Sequence, residues 1–250
     1  MKIRAFLEKW LRSSREKIEK DLAGSLRWWY FSPAIYAQYQ IVSELMDTYV
    51  SGQVIDIGCG LMHWRGFIEK KTPNYHSLDL RPRLKEVTYV ADIQNMLIVP
   101  TANYDTAICL EVLEHVPNPC QALKEIYRIL RPGGLLIVSV PHLSRLHDIP
   151  YDYFRFTRFG LQYILEKSGF EILEMRAKGG LFCFLGHQIS TIVISITWSI
   201  WGLRQLVWLL NKWLITKMLY KIDRWLETER FFPLGYVGVA RKTINTGGVK

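Results

Sequence analysis

Gln53-Val54-Ile55-Asp56-Ile57-Gly58-Cys59-Gly60 is the stretch whose reading decides the fold. Val54, Ile55 and Ile57 are apolar and β-branched, as in a strand buried on both faces of a parallel sheet. Asp56 then falls at the carboxyl end of that strand, where open α/β sheets bind ligands. Gly58 and Gly60 lack the Cβ atoms that would keep a ligand away from backbone. The plainer alternative is a buried strand followed by a tight turn, with no ligand.

The pattern alternates downstream. A helix is expected near residues 63–71 and a second strand at 75–80, carrying Asp79 and Leu80. A short strand at 87–90 precedes Ala91-Asp92-Ile93, and Tyr104–Leu110 reads as a fourth strand with Glu111 at its end. A helix over 119–130 should stop at Arg131-Pro132-Gly133-Gly134, a breaker whose glycines permit positive φ. A strand at Leu135–Val140, a helix over 158–168 ending at Gly169 and a strand at 170–176 complete the series. Such alternation predicts an α/β fold with a mostly parallel, doubly wound sheet.

Both flanks differ from this rhythm. In residues 1–23, Ile3, Phe6, Leu7, Trp10 and Leu11 form a helical apolar stripe among basic residues. Such a helix either lies at a membrane interface or packs on the domain. After the aromatic run Arg27-Trp28-Trp29-Tyr30-Phe31, Ser32 and Pro33 announce a helix over 33–49. Leu181–Leu203 lacks Asp, Glu, Lys and Arg, but polar residues dilute it, and Gln205–Leu226 mixes tryptophans with lysines. Gly235–Lys242 then reads as a strand. If it rejoins the sheet, one membrane crossing before it would leave it on the wrong side. Residues 181–226 are therefore expected to lie on a membrane surface, to form a homodimer face, or to cover the domain's own pocket. The resulting divisions are 1–50 for N-terminal helices, 51–178 for the core, 179–233 for a helical insertion and 234–250 for a closing strand and tail.

A chain of 250 residues can bury a full core in one domain with an appendage. The formal charge of +9 favours anionic partners, whether nucleic acid, lipid surface or phosphorylated substrate. Cys59, Cys109, Cys120 and Cys183 lack paired metal-site spacing, which predicts reduced thiols, no metal and a cytoplasmic protein. The charged N-terminus does not read as a signal peptide.

Asp79 stands 21 positions after Gly58, the spacing of a ribose-binding acid in a βαβ unit. A nicotinamide dinucleotide fingerprint would require a third glycine where His63 stands. Five segments together carry a resemblance. Val54–Gly60, Leu78-Asp79, Ala91-Asp92-Ile93, Tyr104–Val116 and Leu130–Gly134 are similar, in order, to motifs of the class I S-adenosylmethionine-dependent methyltransferases, type 11 subgroup. The likeness covers roughly residues 50–178, and Gly235–Lys242 resembles that family's antiparallel seventh strand. It implies a seven-stranded Rossmann-like sheet and S-adenosylmethionine as cofactor. Asp56, Gly58, Gly60, Asp79, Leu80, Asp92, Ile93, Leu110 and Glu111 are then the expected cofactor-site residues. The family usually has a third glycine where this chain has Met62.

His142 and His147–Thr157 resemble a segment of bacterial relatives near cell-envelope saccharide pathways, which suggests a small-molecule or lipid-linked saccharide acceptor. A base would assist a hydroxyl acceptor, and His115, His142, His147 and Asp152 are the candidates by type and position. Against them, His115 suits a helix cap, His142 a backbone bond beside Pro141, and Asp152 a pair with Arg155. The expected enzyme associates with the inner face of the cytoplasmic membrane. A nucleic-acid methyltransferase ranks behind, because no Asn-Pro-Pro-Tyr signature follows the fourth strand. A catalytically silent scaffold is a third reading.

Overall fold

The computed structural model describes residues 10, 13–14 and 17–244, without the side chain of Trp201. Most of the expected N-terminal stripe lies outside the described residues. The described residues form two units. One joins those up to Gln40 with Gly179–Leu234; the other joins Ile41–Lys178 with the chain from Gly235 onward.

The second unit contains a seven-stranded sheet: β1 (Val54–Ile57), β2 (Tyr75–Asp79), β3 (Tyr89–Val90), β4 (Tyr104–Leu110), β5 (Leu130–Pro141), β6 (Phe170–Lys178) and β7 (Gly235–Lys242). Its order is β3-β2-β1-β4-β5-β7-β6. Pairing is parallel except where β7 runs antiparallel to both β5 and β6. The expected fold class is therefore observed, closing strand included. The strand order reverses between β1 and β4, so the ligand crevice is expected at their carboxyl ends.

Helix α1 (Pro33–Tyr49) starts where Ser32 and Pro33 predicted, with the Ser32 hydroxyl accepting the Ile35 N–H at 3.4 Å. Helix α2 is only Arg65–Ile68, shorter than the predicted 63–71, because the turn after the glycine loop occupies the positions before it. Asn118 and Thr157 cap α3 (Pro119–Ile129) and α4 (Arg158–Lys167) through their side chains. Helix α3 ends before Arg131–Gly134 as expected, but the strand begins at Leu130 and not at Leu135. The segment Arg131–Gly134 therefore lies inside β5. Register slips there between Tyr104 and Thr106, Gly133 takes φ +79°, and a Cβ on Gly134 would sit 2.9 Å from the Arg131 carbonyl oxygen. The glycines build a β-bulge, so the strand bends and continues.

The first unit contains α5 (Leu181–Thr197), α6 (Trp201–Leu210), a π-helical turn (Asn211–Lys217) and α7 (Met218–Leu226). Trp201–Leu226 is helical throughout, the π stretch joining α6 to α7, in the place where the sequence reading put its second apolar and basic segment, Gln205–Leu226. Asn211 is 2% exposed and explains the π turn. Its carbonyl accepts the Ser190 hydroxyl at 2.6 Å, and its amide donates to the Tyr30 and Phe31 carbonyls at 3.1 and 3.0 Å. No described helix is long and apolar enough to cross a membrane.

Candidate active site

β1 runs directly into the glycine turn. Gly58 takes φ +70°, and a Cβ there would lie 2.3 Å from Cγ2 of Val112. The N–H groups of Gly58 and Cys59 donate to the Leu78 carbonyl at 2.7 and 3.2 Å, binding the loop to β2. Gly60 faces open space where its Cβ would be, and its N–H donates to Asp79 Oδ2 at 2.9 Å. The Arg81 N–H donates to Asp79 Oδ1 at 2.8 Å. Backbone thus fixes both carboxylate oxygens and leaves lone pairs to receive vicinal hydroxyls. The Ala91 N–H donates to the Asp79 carbonyl at 3.3 Å, bringing the third motif alongside. Asp92 accepts the Gln94 N–H at 2.8 Å, while Ile93 is buried and Leu80 is 55% exposed. An open glycine loop, a held carboxylate and an exposed apolar side chain fit the adenosyl moiety of S-adenosylmethionine.

Asp56 differs from the other expected cofactor residues. It is 4% exposed, and its Oδ2 accepts the Tyr75 hydroxyl at 3.1 Å. Burial lifts its pKa to about 7; the Tyr75 bond opposes the rise and the Asp79 charge adds to it. The structure therefore places it within β1 and not at the rim. Met62 also departs from expectation: it is buried and holds φ +52°, the left-handed backbone that glycine adopts freely.

A second polar group forms beyond β4. Leu110 is half-buried, and Glu111, at φ +56°, donates its N–H to the Ser139 carbonyl at 3.0 Å. Its Oε1 accepts the Ser139 hydroxyl at 2.7 Å and the Lys178 ammonium. Lys178 lies opposite Gly235 in the β6–β7 register, and a Cβ on Gly235 would sit 2.5 Å from its Cε. The lysine crosses the sheet over that missing side chain.

Glu114 is fully buried, and neither carboxyl oxygen has a hydrogen-bond partner among the described residues. Burial first and the Glu111 charge second push its pKa well above the carboxylate range, against the pull of Lys178 and Arg155. Its carbonyl accepts N–H groups from Tyr153 at 2.8 Å and Phe154 at 3.2 Å, fastening the 142–157 segment to this turn. His115 Nδ1 lies 2.7 Å from the Tyr151 carbonyl oxygen, so Nδ1 carries a proton and, in the neutral ring, Nε2 is the nitrogen with the lone pair. That Nε2 is 3.7 Å from Glu114 Oε1, and His147 Nε2 is 3.9 Å from the same oxygen. One ligand atom from each of the three residues lies within 4.8 Å of the others, a set that could also hold a divalent cation. The sequence reading named no metal ligand.

Asp152 pairs bidentately with Arg155 at 2.6 and 2.7 Å, and its Oδ2 accepts the His147 N–H at 2.9 Å. The Arg155 guanidinium holds its carboxyl far below the usual range, so it orients His147 and makes a poor base. His142 Nδ1 is buried without a hydrogen-bond partner among the described residues, and its ring centroid is 5.8 Å from that of Tyr236. Sequence reasoning missed Tyr75, Ser139, Lys178 and the role of Glu114. Only Glu114 carried a local signal, three residues after Glu111 and beside His115.

Comparison with known proteins agrees with this geometry. A family model described as a methyltransferase domain matches residues 6–175. A ubiquinone biosynthesis O-methyltransferase of Xanthomonas oryzae pv. oryzae is 26% identical over 145 residues, covering 50% of this chain and 60% of that protein. The chain thus spans less than two thirds of that relative's length. A 1,6-didemethyltoxoflavin-N1-methyltransferase of Burkholderia thailandensis, solved with S-adenosylhomocysteine, superposes with TM-score 0.54 at 16% identity, covering 96% of this chain and 87% of that one. A SAM-dependent methyltransferase of Archaeoglobus fulgidus superposes with TM-score 0.53 at 16% identity, over 81% and 94%. With the family model spanning more than half the chain and the nucleoside cradle in place, this protein belongs to the class I S-adenosylmethionine-dependent methyltransferases.

Proposed function

We propose that the enzyme O-methylates a hydroxyl group on a small amphipathic acceptor, of which a lipid-linked saccharide at the inner face of the cytoplasmic membrane is the favoured class. The observation that carries the O-transfer reading is the fixed tautomer of His115 beside the buried, unpartnered Glu114 carboxyl group. Bound S-adenosylmethionine supplies a sulfonium methyl group open to displacement. Gly58, Gly60 and Asp79 hold and orient the nucleoside end. His115 Nε2 receives the acceptor's hydroxyl proton, and the Tyr151 carbonyl steadies the Nδ1–H of the resulting imidazolium. The buried Glu114 carboxyl group, 3.7 Å from Nε2, borders the position where that proton arrives. The amphipathic acceptor class draws support from the O-methyltransferase name of the Xanthomonas relative and from the apolar, basic composition of residues 181–226.

The test is incubation of the protein and its His115→Ala variant with methyl-labelled cofactor and a bacterial membrane extract. The expected result is alkali-stable label in the solvent-extractable fraction, lost with the variant. Label in added RNA, falling steeply with salt, would instead establish nucleic acid as the acceptor.

A further inference from the structure

Helix α5 of the first unit turns a stripe of large apolar side chains outward. In α5 four of the five buried positions are small, Cys183, Gly186, Ser190 and Ser195, with Ile194 the fifth, and a Cβ on Gly186 would meet Leu219 Cδ1 at 2.5 Å. The positions turned outward are Leu185, Ile189, Ile192 and Ile196, a four-residue stripe about half exposed. Helices facing water show the reverse arrangement, whereas close small-residue packing with large apolar residues outside is how helices meet in lipid. The apolar surface continues through Leu206 and Leu210 of α6 and Trp213 and Leu214 of the π turn.

Charge identifies the occupant. Between Leu181 and Leu226 the basic residues are Arg204, Lys212, Lys217, Lys221 and Arg224, and the one acid is Asp223. Asp223 is 1% exposed and turned inward. It accepts the N–H groups of Gly180, Phe182 and Cys183 at 3.0, 2.9 and 2.6 Å, and the Thr228 hydroxyl. The surface of this segment therefore carries positive charge alone. Lys217 Nζ lies 4.1 Å from the Trp213 ring centroid, and Lys212 Nζ 4.4 Å from that of Tyr30. Lysine ammoniums beside half-exposed aromatic rings suit the headgroup level of a bilayer.

We infer that residues 181–226 dock on an anionic phospholipid bilayer, lying flat with the α5 stripe and Trp213 among the acyl chains and Lys212 and Lys217 at the phosphates. This is independent of which acceptor the enzyme methylates and of whether the cofactor is bound.

Flotation of the full chain with vesicles of phosphatidylcholine alone, and of phosphatidylcholine mixed with phosphatidylglycerol, tests it. The protein should float with the mixed vesicles and release at high salt. Near an anionic surface each lysine contributes about fivefold in affinity, so Lys212→Ala/Lys217→Ala should bind about 25-fold more weakly. Ile192→Glu, at an exposed position, should bind at least about tenfold more weakly with an unchanged circular dichroism spectrum. Failure to float at low salt, or equal binding to neutral vesicles, would overturn the inference. So would a concentration-dependent dimer that Ile192→Glu dissociates while vesicle binding stays absent, because a second copy would then cover the stripe.

Discussion

The two ends of the crevice satisfy their polar groups differently. At the cofactor end, Asp79 and Asp92 already accept hydrogen bonds from backbone N–H groups. At the end proposed for the acceptor, Glu114 and His142 Nδ1 are buried without hydrogen-bond partners among the described residues. Leaving a buried polar group unsatisfied costs about 1–3 kcal/mol, a cost that native folds rarely carry without use. The cofactor end is preorganised by the chain itself. The acceptor end keeps donors and acceptors available for a proton or a ligand.

Four substitutions test that contrast, from the largest effect to the smallest. Gly58→Ala places a Cβ against Val112 and forbids the left-handed turn, so affinity for S-adenosylhomocysteine should fall at least about 100-fold. Calorimetry reads the loss, and Val112→Ala added to Gly58→Ala should recover part of it. His115→Ala should reduce turnover of the identified acceptor about 100-fold and leave cofactor affinity unchanged. An equal fall in cofactor affinity would erase the division between the two ends.

Asp56→Asn separates support from contact. The native state holds this proton up to about pH 7, whereas the unfolded carboxyl loses it near its ordinary value of 3.8. Wild-type stability should therefore decline between those two values by something on the order of 2–4 kcal/mol. The Asn variant keeps an acceptor for Tyr75 and should show a flatter profile in denaturant titrations across that range. Met62→Gly should have the smallest effect. Relief of left-handed strain, about 1 kcal/mol, is outweighed by loss of a buried side chain, leaving a net destabilisation of about 1–2 kcal/mol.

What the sequence disclosed follows the same contrast. The cofactor end was legible because local chemistry dictates it: a buried strand, a turn that needs missing Cβ atoms, and an acid at a fixed spacing. Asp56 could be placed in β1, but not its inward environment, since the Tyr75 hydroxyl comes from the neighbouring strand. The acceptor end depends on long-range register. Lys178 reaches Glu111 only because β7 inserts antiparallel between β5 and β6 and presents Gly235. Likewise, Glu114 and His147 meet because the 142–157 segment folds back onto the turn after β4, which no local periodicity signals. The breaker-like glycines at 133 and 134 form a bulge because their partner strand continues beside them.

The most direct test of the division of labour is calorimetric titration of S-adenosylhomocysteine into the wild type, Gly58→Ala and Glu114→Gln. The account predicts single-site binding by the wild type, equal affinity for Glu114→Gln, and at least a 100-fold loss for Gly58→Ala, in line with the clash at Val112. No heat with the folded wild type, or a loss in Glu114→Gln as large as that in Gly58→Ala, would contradict it.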